Sequence, residues 1–573
     1  MKRWQILRAD ADAVANLRRL LNCTFITATL LVNRNLVKET EVRRFLNTSL
    51  TQLRSPLEMA GMGSALERIV TAVELGQKIL IFGDYDVDGI TATATLLEFF
   101  QYLKADVSYY IPHRIREGYS LQPAHIREYA VPSGIDLIIT ADCGSGSHQA
   151  VAAAAAAGID VIITDHHQIF DRLPPAVSVI NPHRPDCAAG FENLAGVGVA
   201  LCLLIGLRKR LRDINFWQDL PEPNLKDFCD LVAVGTVADI VPLQGENRIF
   251  TAAGIEMIQS AGRPGLKALL LESGTDPKTV DTQDIAFRLA PRLNAAGRLD
   301  HAAAAVELLT TRSPETAGRI AVKLNALNRQ RQGVEQAMLA DISAMLADRP
   351  DLLGNRSLVL AHSGWHEGVL GIVASRLLEM YFRPVVLISV KDGIARGSAR
   401  SIPGFDMFKG LTACRAFLKN FGGHTQAAGL SLAVEMIEPF RRHFEKTVLE
   451  ATLPDDFSPT LTIDCKLDFK DINAALLDEL SSLEPYGSGN PEPLFTAENI
   501  TVVSASIVGK YHRRMLLGQP GADTCSSFNA IQFNIDPSGP APQRLERIAF
   551  RLRWNHWNGK KTLQLIIEEA IAG

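Results

Sequence analysis

Residues 78–89 read Lys-Ile-Leu-Ile-Phe-Gly-Asp-Tyr-Asp-Val-Asp-Gly. An apolar, strand-forming run leads straight into three aspartates at alternate positions, and a glycine closes the stretch. In extended backbone, positions two apart project to one side, so Asp84, Asp86 and Asp88 present their carboxylates together. Gly89 lets the chain turn into the helical pattern over 91–103. The same grammar recurs twice. Leu137–Thr140 leads into Ala141-Asp142-Cys143-Gly144, and Val161–Thr164 leads into Asp165-His166-His167. With Val107–Ile111 and Val177–Ile180, these short runs alternate with helical stretches such as 148–157. Near-continuous apolar strands separated by crossover helices predict a parallel sheet covered on both faces. Ligands of such sheets sit beyond the carboxyl ends of the strands, which is where all three clusters fall. A fourth candidate, Asp239 in GTVADI at 235–240, follows the apolar run Leu231–Val234.

An aspartate after a strand commonly caps the next helix. Capping does not explain three such clusters at three strand ends, one of them followed by two histidines. If the sheet is parallel the clusters converge, and converging carboxylates repel unless cations offset them. Hard divalent cations such as Mg²⁺ prefer oxygen ligands, and an imidazole shifts the preference toward Mn²⁺. Two such ions roughly 3.5–4 Å apart activate water and stabilise a phosphoryl transition state. Cys143 adjoins Asp142 without an evident base partner, so it reads as a structural thiol.

The chain has 573 residues, enough for about three to five domains. It is 47% hydrophobic and 21% charged with a net charge of −4, which excludes a mostly disordered chain and a uniformly basic one. No run approaches a membrane span, and MKRWQILRAD lacks an apolar signal core. Eight scattered cysteines form no Cys-x-x-Cys pair, which fits a reducing cytoplasm. Ile320, Leu324, Leu327, Val334, Met338, Ile342 and Met345 follow helical steps, so 315–346 is expected to be one long helix joining two lobes. A second α/β segment covers about 355–450. Beyond 455, short alternating strands suggest a small β-barrel. Its last stretch, 501–573, carries nine Lys/Arg against five Asp/Glu.

The motifs DYDVDG and Asp165-His166-His167 resemble those of the DHH phosphoesterase superfamily, and the chain is most similar to its single-strand-specific exonucleases. The resemblance runs over essentially the whole chain. It includes LAGVGV at 194–199, GTVADIVPL at 235–243, PRLNAAGRLD at 291–300, WHEGV at 365–369, GSARSIPG at 397–404, FGGHTQAAGL at 421–430 and YGSGNPEPLF at 486–495. It implies an N-terminal segment (1–54), a catalytic DHH domain (55–280), a helical connector (281–350), a DHH-associated substrate-binding domain (351–452) and an OB-fold barrel (453–573). The implied activity is 5′→3′ hydrolysis of single-stranded DNA to mononucleotides, with two Mn²⁺ or Mg²⁺ ions, in recombination and repair. A single-strand-binding protein and a helicase are the partners it implies, with a monomeric chain.

Carried over by motif, Asp84, Asp86 and Asp88 serve the first ion, Asp142 bridges, and His166 and Asp239 complete the second. His167 faces the scissile phosphate, and Asp165 orients the histidines. Arg292, Asn294 and Arg298 are expected on one loop–helix element, with Arg298 on the 5′-phosphate. Ser398, Arg400 and the Gly422-Gly423-His424 stretch, read as a phosphate-binding nest, are expected on the strand opposite the metals. Arg514 and Trp557 mark basic and aromatic turns of the barrel, and one of Trp554 and Trp557 is expected in its core. There are two departures from the usual pattern: Ser120 stands where glycine is common, and ADCGSG at 141–146 replaces the VDNGI type. Related enzymes acting on cyclic dinucleotides, short oligoribonucleotides or pyrophosphate lack the barrel and long connector. A replication scaffold relative loses the metal carboxylates that are present here.

Overall fold

The computed structural model describes every residue except 1, 170–171, 261, 521–526, 537–541, 558–559 and 573. The five apolar runs form one parallel sheet. In spatial order its strands are Val107–Tyr110, Ile79–Gly83, Leu137–Ala141, Asp160–Thr164 and Ser178–Ile180. The middle three are buried almost throughout, as strands covered on both faces must be. Helix Val87–Tyr102 is buried nearly all round and packs against Gly196–Asp213 and Cys229–Ala238. A helix apolar on every side belongs inside, and this one forms the centre of the layer. The run Leu231–Val234 is thus helical, and Asp239 caps a helix C-terminus rather than following a strand. Short apolar runs do not separate these two cases by periodicity alone.

The long helix spans Pro314–Asp348, opened by the Ser313 side chain accepting from Thr316 N. At 1.5 Å per residue its 35 residues extend roughly 52 Å. Its C-terminal half contributes Met338, Ile342 and Leu346 to the core of the second α/β lobe. In mid-helix the buried face is polar instead: Asn325, Asn328, Arg331 and Glu335. That lobe has a five-stranded sheet in the order Asn420–Gly423, Ala427–Ala433, Ile394–Arg400, Val385–Lys391 and Leu358–His362, antiparallel except for the last pair. The stretch around Gly422 and Gly423 is a β-hairpin, and the His424 N–H donates to Ala427 O. That donor closes the hairpin and is not part of an open nest.

The chain divides into two units, one made of 54–241 with 253–459 and the other of 1–53, 242–252 and 460–573. The second holds the barrel, whose strands are Phe495–Val508, His512–Gly518, Ser527–Gln532, Arg544–Trp557 and Lys560–Ala572. Pairing of Phe495–Thr501 with Arg544–Phe550 closes it. Residues 1–53 are not a separate segment. Arg3–Ile6 pairs in parallel with Thr460–Ile463, and Val14, Leu17, Leu30 and Leu31 share one core with Leu476, Leu477 and the barrel. Trp554 packs against that core under Lys561. The side chain of Trp557, together with Asn558 and Gly559, lies outside the described residues.

Arg248 fastens this unit. It is buried and donates to the carbonyls of Phe45, Leu483, Glu484 and Pro485, with its guanidinium 3.9 Å from the Phe45 ring centre. Arg248→Met leaves those carbonyls without their donor. We expect a loss of about 3 kcal/mol, seen by scanning calorimetry as earlier melting of the unit that contains the barrel. A loss below about 1 kcal/mol would remove Arg248 as the fastener.

Candidate metal centre

Register builds the site. Gly83, Ala141 and Thr164 are Cα partners across the three central strands. The next residue of each strand is therefore Asp84, Asp142 and Asp165, in a row at the carboxyl edge. Their N–H groups continue the ladder, donating to Ala141 O, Thr164 O and Ile180 O. Asp142 then turns with φ 64, a left-handed conformation that aspartate tolerates, which redirects the chain after the strand. Asp86 caps helix Val87–Tyr102 by accepting from Gly89 N at 3.1 Å. Asp88, in the first turn, accepts from Gly196 N (2.6 Å) and Val197 N (2.9 Å) at the start of Gly196–Asp213. A Cβ on residue 196 would stand 2.5 Å from Asp142 Oδ1, so only glycine lets that helix approach.

His166 Nε2 lies 3.2 Å from Asp142 Oδ1, 3.5 Å from Asp239 Oδ2 and 3.6 Å from Asp88 Oδ2. Three triads have donor atoms within 4.8 Å of one another: Asp84–Asp86–Asp142, Asp88–His166–Asp239 and Asp142–His166–His167. Asp142 belongs to two of them. All seven side chains expected near the ions are thus brought together, with Asp88 nearer His166 and Asp239 than Asp84. Asp84 Oδ1 and Asp142 Oδ1 are buried and accept no hydrogen bond. Buried orphan oxygens are costly, and a hard cation is the ligand that satisfies them. The donor set, carboxylates with one or two imidazoles, fits Mn²⁺ or Mg²⁺.

Burial and neighbouring charge act together on the carboxylates. Burial first, then the Asp86 charge, hold Asp84 well above the usual carboxylate range and push Asp88 up to about 7. Burial, then the charges of Asp88 and Asp86, raise Asp142 and Asp239. The two histidines diverge. Burial and then the His167 charge lower His166 to about 4. Burial opposes the charge of His167 as well, but the hydrogen bond and charge of Asp165 outweigh it and raise His167 to about 9. Asp165 Oδ1 lies 2.7 Å from His167 Nδ1 and also accepts the N–H groups of His166 and His167. Burial opposes its charge too, yet His167 above all keeps it below the usual range. Cys143 is buried, with Sγ 3.7 Å from Phe82 O.

A cavity of about 570 Å³ is lined by Tyr85, which lies between Asp84 and Asp86 in the chain, and by Arg298, Ser398, Arg400 and Gly422 of the expected residues. Arg292 and Asn294 are not among its lining. PRLNAAGR is continuous helix, Ala290–Leu299, so at about 100° per residue Arg292 points away from Arg298. Arg292 Nε instead donates to Asn325 Oδ1. Gly423 and His424 line a second cavity, of about 520 Å³, together with His167. Arg514 is exposed on barrel strand His512–Gly518. Arg114, Tyr85, Tyr119 and Arg396 also line the first cavity and were not singled out from the sequence. Arg114 and Tyr119 follow strand Val107–Tyr110, so the strand-end rule that located the aspartates applies to them too. Burial, then the charges of Arg114, Arg331 and Arg400, depress Arg298 to about 9.

Comparison with known proteins identifies the domains and the family. The models of the DHH family N-terminal domain, the DHHA1 domain and the RecJ OB domain match residues 78–236, 354–450 and 463–569. Fold and site thus define a DHH–DHHA1 protein with an OB barrel. The chain is 36% identical to the single-stranded-DNA-specific exonuclease RecJ of Bacillus subtilis (strain 168), over 99% of this chain and 70% of that protein. It is 37% identical to the RecJ of Salmonella typhimurium (strain LT2), over 89% and 90%. The crystal structure of Thermus thermophilus RecJ in complex with Mn²⁺ superposes with a TM-score of 0.83 at 29% identity, covering 100% of this chain and 80% of that one. The chain belongs to the RecJ family.

Asp88 holds its proton more tightly folded (about 7) than unfolded (about 3.9). Its contribution to the stability of the metal-free fold is therefore full below about pH 4 and is lost as pH rises to about 7. Thermal melts of the metal-free chain should show Asp88→Asn gaining on the wild type across that window, and saturating Mn²⁺ should reverse the order. Parallel pH profiles would show that Asp88 carries no such burden.

Proposed function

We propose that the chain is a single-strand-specific 5′→3′ exodeoxyribonuclease that releases 5′-mononucleotides by two-metal-ion hydrolysis, acting in DNA recombination and repair. The observation that carries the reading is Asp142, shared between two donor triads at the carboxyl edge of the sheet, with a buried oxygen left unsatisfied. Asp84, Asp86 and Asp142 would hold one ion, and Asp142, Asp88, His166 and Asp239 the other. Such ions supply Lewis-acid charge and lower the pKa of a bound water. His166 stays neutral near pH 7, as a ligand must. His167 stays protonated and offers an N–H to an oxygen of the scissile phosphate. Arg298, Arg400 and Ser398, with Arg114, hold the terminal phosphate, since guanidinium groups bind phosphate bidentately. Cavities of about 570 and 520 Å³ suit single nucleotides, which favours single strands over duplex. The barrel, with Arg514 and Trp557, would guide the strand by charge and stacking. A helicase, a single-strand-binding protein, a monomeric chain and a cytoplasmic setting belong to the same proposal and rest on family resemblance.

The test is Mn²⁺ with single-stranded DNA labelled at either end, beside Asp142→Asn. A 5′ label should appear at once as mononucleotide, and Asp142→Asn should lose at least about 100-fold in rate. Early release of the 3′ label would reverse the polarity. Separately, Arg298→Ala should reduce the rate advantage of 5′-phosphorylated over 5′-hydroxyl ends by about tenfold or more. Equal loss on both ends would take the terminal phosphate away from Arg298.

A further inference from the structure

Tyr119 stands between the two cavities. It is the one residue, among those described, that lines both. It is 42% exposed, beside a site in which Asp84, Asp88 and Asp142 are buried. On one side it meets Tyr85 edge-on, with 6.4 Å between ring centres. On the other it meets His167 at 5.7 Å, and its hydroxyl lies 3.3 and 3.4 Å from the two imidazole nitrogens. The next residue, Ser120, has φ 67, in the left-handed region where a side chain is strained. Its hydroxyl is 2.9 Å from Ser147 Oγ. Ser120, one of the two departures from the usual sequence pattern, is thereby tied to Ser147, just beyond the ADCGSG stretch, and this hydrogen bond pins the turn carrying Tyr119.

The cavities differ in chemistry. The first is lined by four guanidinium groups, those of Arg114, Arg298, Arg396 and Arg400, and suits phosphate charge. The second has no arginine or lysine among its described lining residues. It offers the amides of Gln122, Gln149 and Gln168 and the hydroxyls of Ser145 and Ser147, a set that both donates and accepts, as a base and sugar require. His167, placed at the scissile phosphate, lines the second cavity beside Tyr119, together with its partner Asp165. An aromatic ring standing between two nucleotide-sized spaces must interrupt the stack of consecutive bases or take part in it.

We infer that Tyr119 sets the cleavage register. Its ring parts the first base from the second, with the terminal nucleotide in the arginine-lined cavity and the second nucleotide in the amide-lined one. One nucleotide, and only one, then lies beyond the scissile bond at each cut. This rests on the exonuclease reading and deepens it: the amide-lined cavity becomes the subsite of the second nucleotide, and Tyr119 the specificity-determining residue for product length.

The experiment uses the full chain with Mn²⁺ and 5′-labelled single-stranded DNA under single-turnover conditions, reading the ratio of dinucleotide to mononucleotide among first products. Removing a stacking ring should raise that ratio by about tenfold or more in Tyr119→Ala, and Tyr119→Phe, which keeps the ring, should stay within about twofold of the wild type. In metal-free protein, where nothing is cut, 2-aminopurine at the second position should change fluorescence on binding, and Tyr119→Ala should lose at least about half of that change. A wild-type ratio in Tyr119→Ala, an equal rise in Tyr119→Phe, or an unaltered 2-aminopurine signal overturns the inference. If Tyr119→Ala does not cut at all, the 2-aminopurine signal decides. A wild-type chain that releases no 5′-nucleotide overturns the exonuclease reading itself, which is a distinct result.

Discussion

Mutual repulsion among buried carboxylates is the constraint on which the rest of this structure depends. Asp84, Asp88 and Asp142 are each 3% exposed or less, and Asp239 and Asp86 complete the group. The donor atoms of each triad lie within 4.8 Å of one another, and at that outer limit, with an effective dielectric of about 20, an ionised carboxylate pair costs roughly 3–4 kcal/mol. Strand register fixes Asp84 and Asp142, helix N-termini fix Asp86 and Asp88, and a helix C-terminus fixes Asp239. None can move apart without breaking an element, so the charge must be offset where it stands, and divalent cations are the means that leave the backbone intact.

The same crowding divides the labour of the two histidines. His166 lies deep among the carboxylates and is kept neutral by burial and by the charge of its neighbour. His167, one residue on, is held by Asp165 and kept charged. On the proposed reading, a metal ligand and a hydrogen-bond donor thus come from consecutive residues because their surroundings differ. Four arginines line a neighbouring cavity, where burial and then the charges of Arg114, Arg331 and Arg400 depress Arg298. An acidic floor and a basic wall side by side suit a substrate whose scissile phosphate is handled by cations and whose terminal phosphate is handled by protein.

Much of this was legible in the sequence because the information was local. KILIFGDYDVDG, LIITADCG and VIITDHH each carry a strand, its end and its acid within about a dozen residues, and parallel pairing does the rest. The long helix and the barrel strands declared themselves by periodicity. What was not legible was set by distant contact. The role of residues 1–53 depends on pairing Arg3–Ile6 with a strand more than 450 residues away. The polar buried face at Asn325, Asn328, Arg331 and Glu335 breaks the apolar pattern by which helices are read. Arg292 was grouped with Arg298 by sequence proximity, although helical geometry turns the two apart. Arg114 and Tyr119 follow a strand end, but in a turn without an acidic motif, and the folded cavities are what single them out.

Calorimetric titration of Mn²⁺ into the metal-free chain tests the central claim most directly. Two ions per chain should bind, with the stoichiometry falling and the remaining affinity weakening by at least about tenfold in Asp142→Asn, because both proposed ion sites lose the carboxylate they share. Binding of one ion or none, or two ions held unchanged by Asp142→Asn, would contradict a centre built on that shared carboxylate.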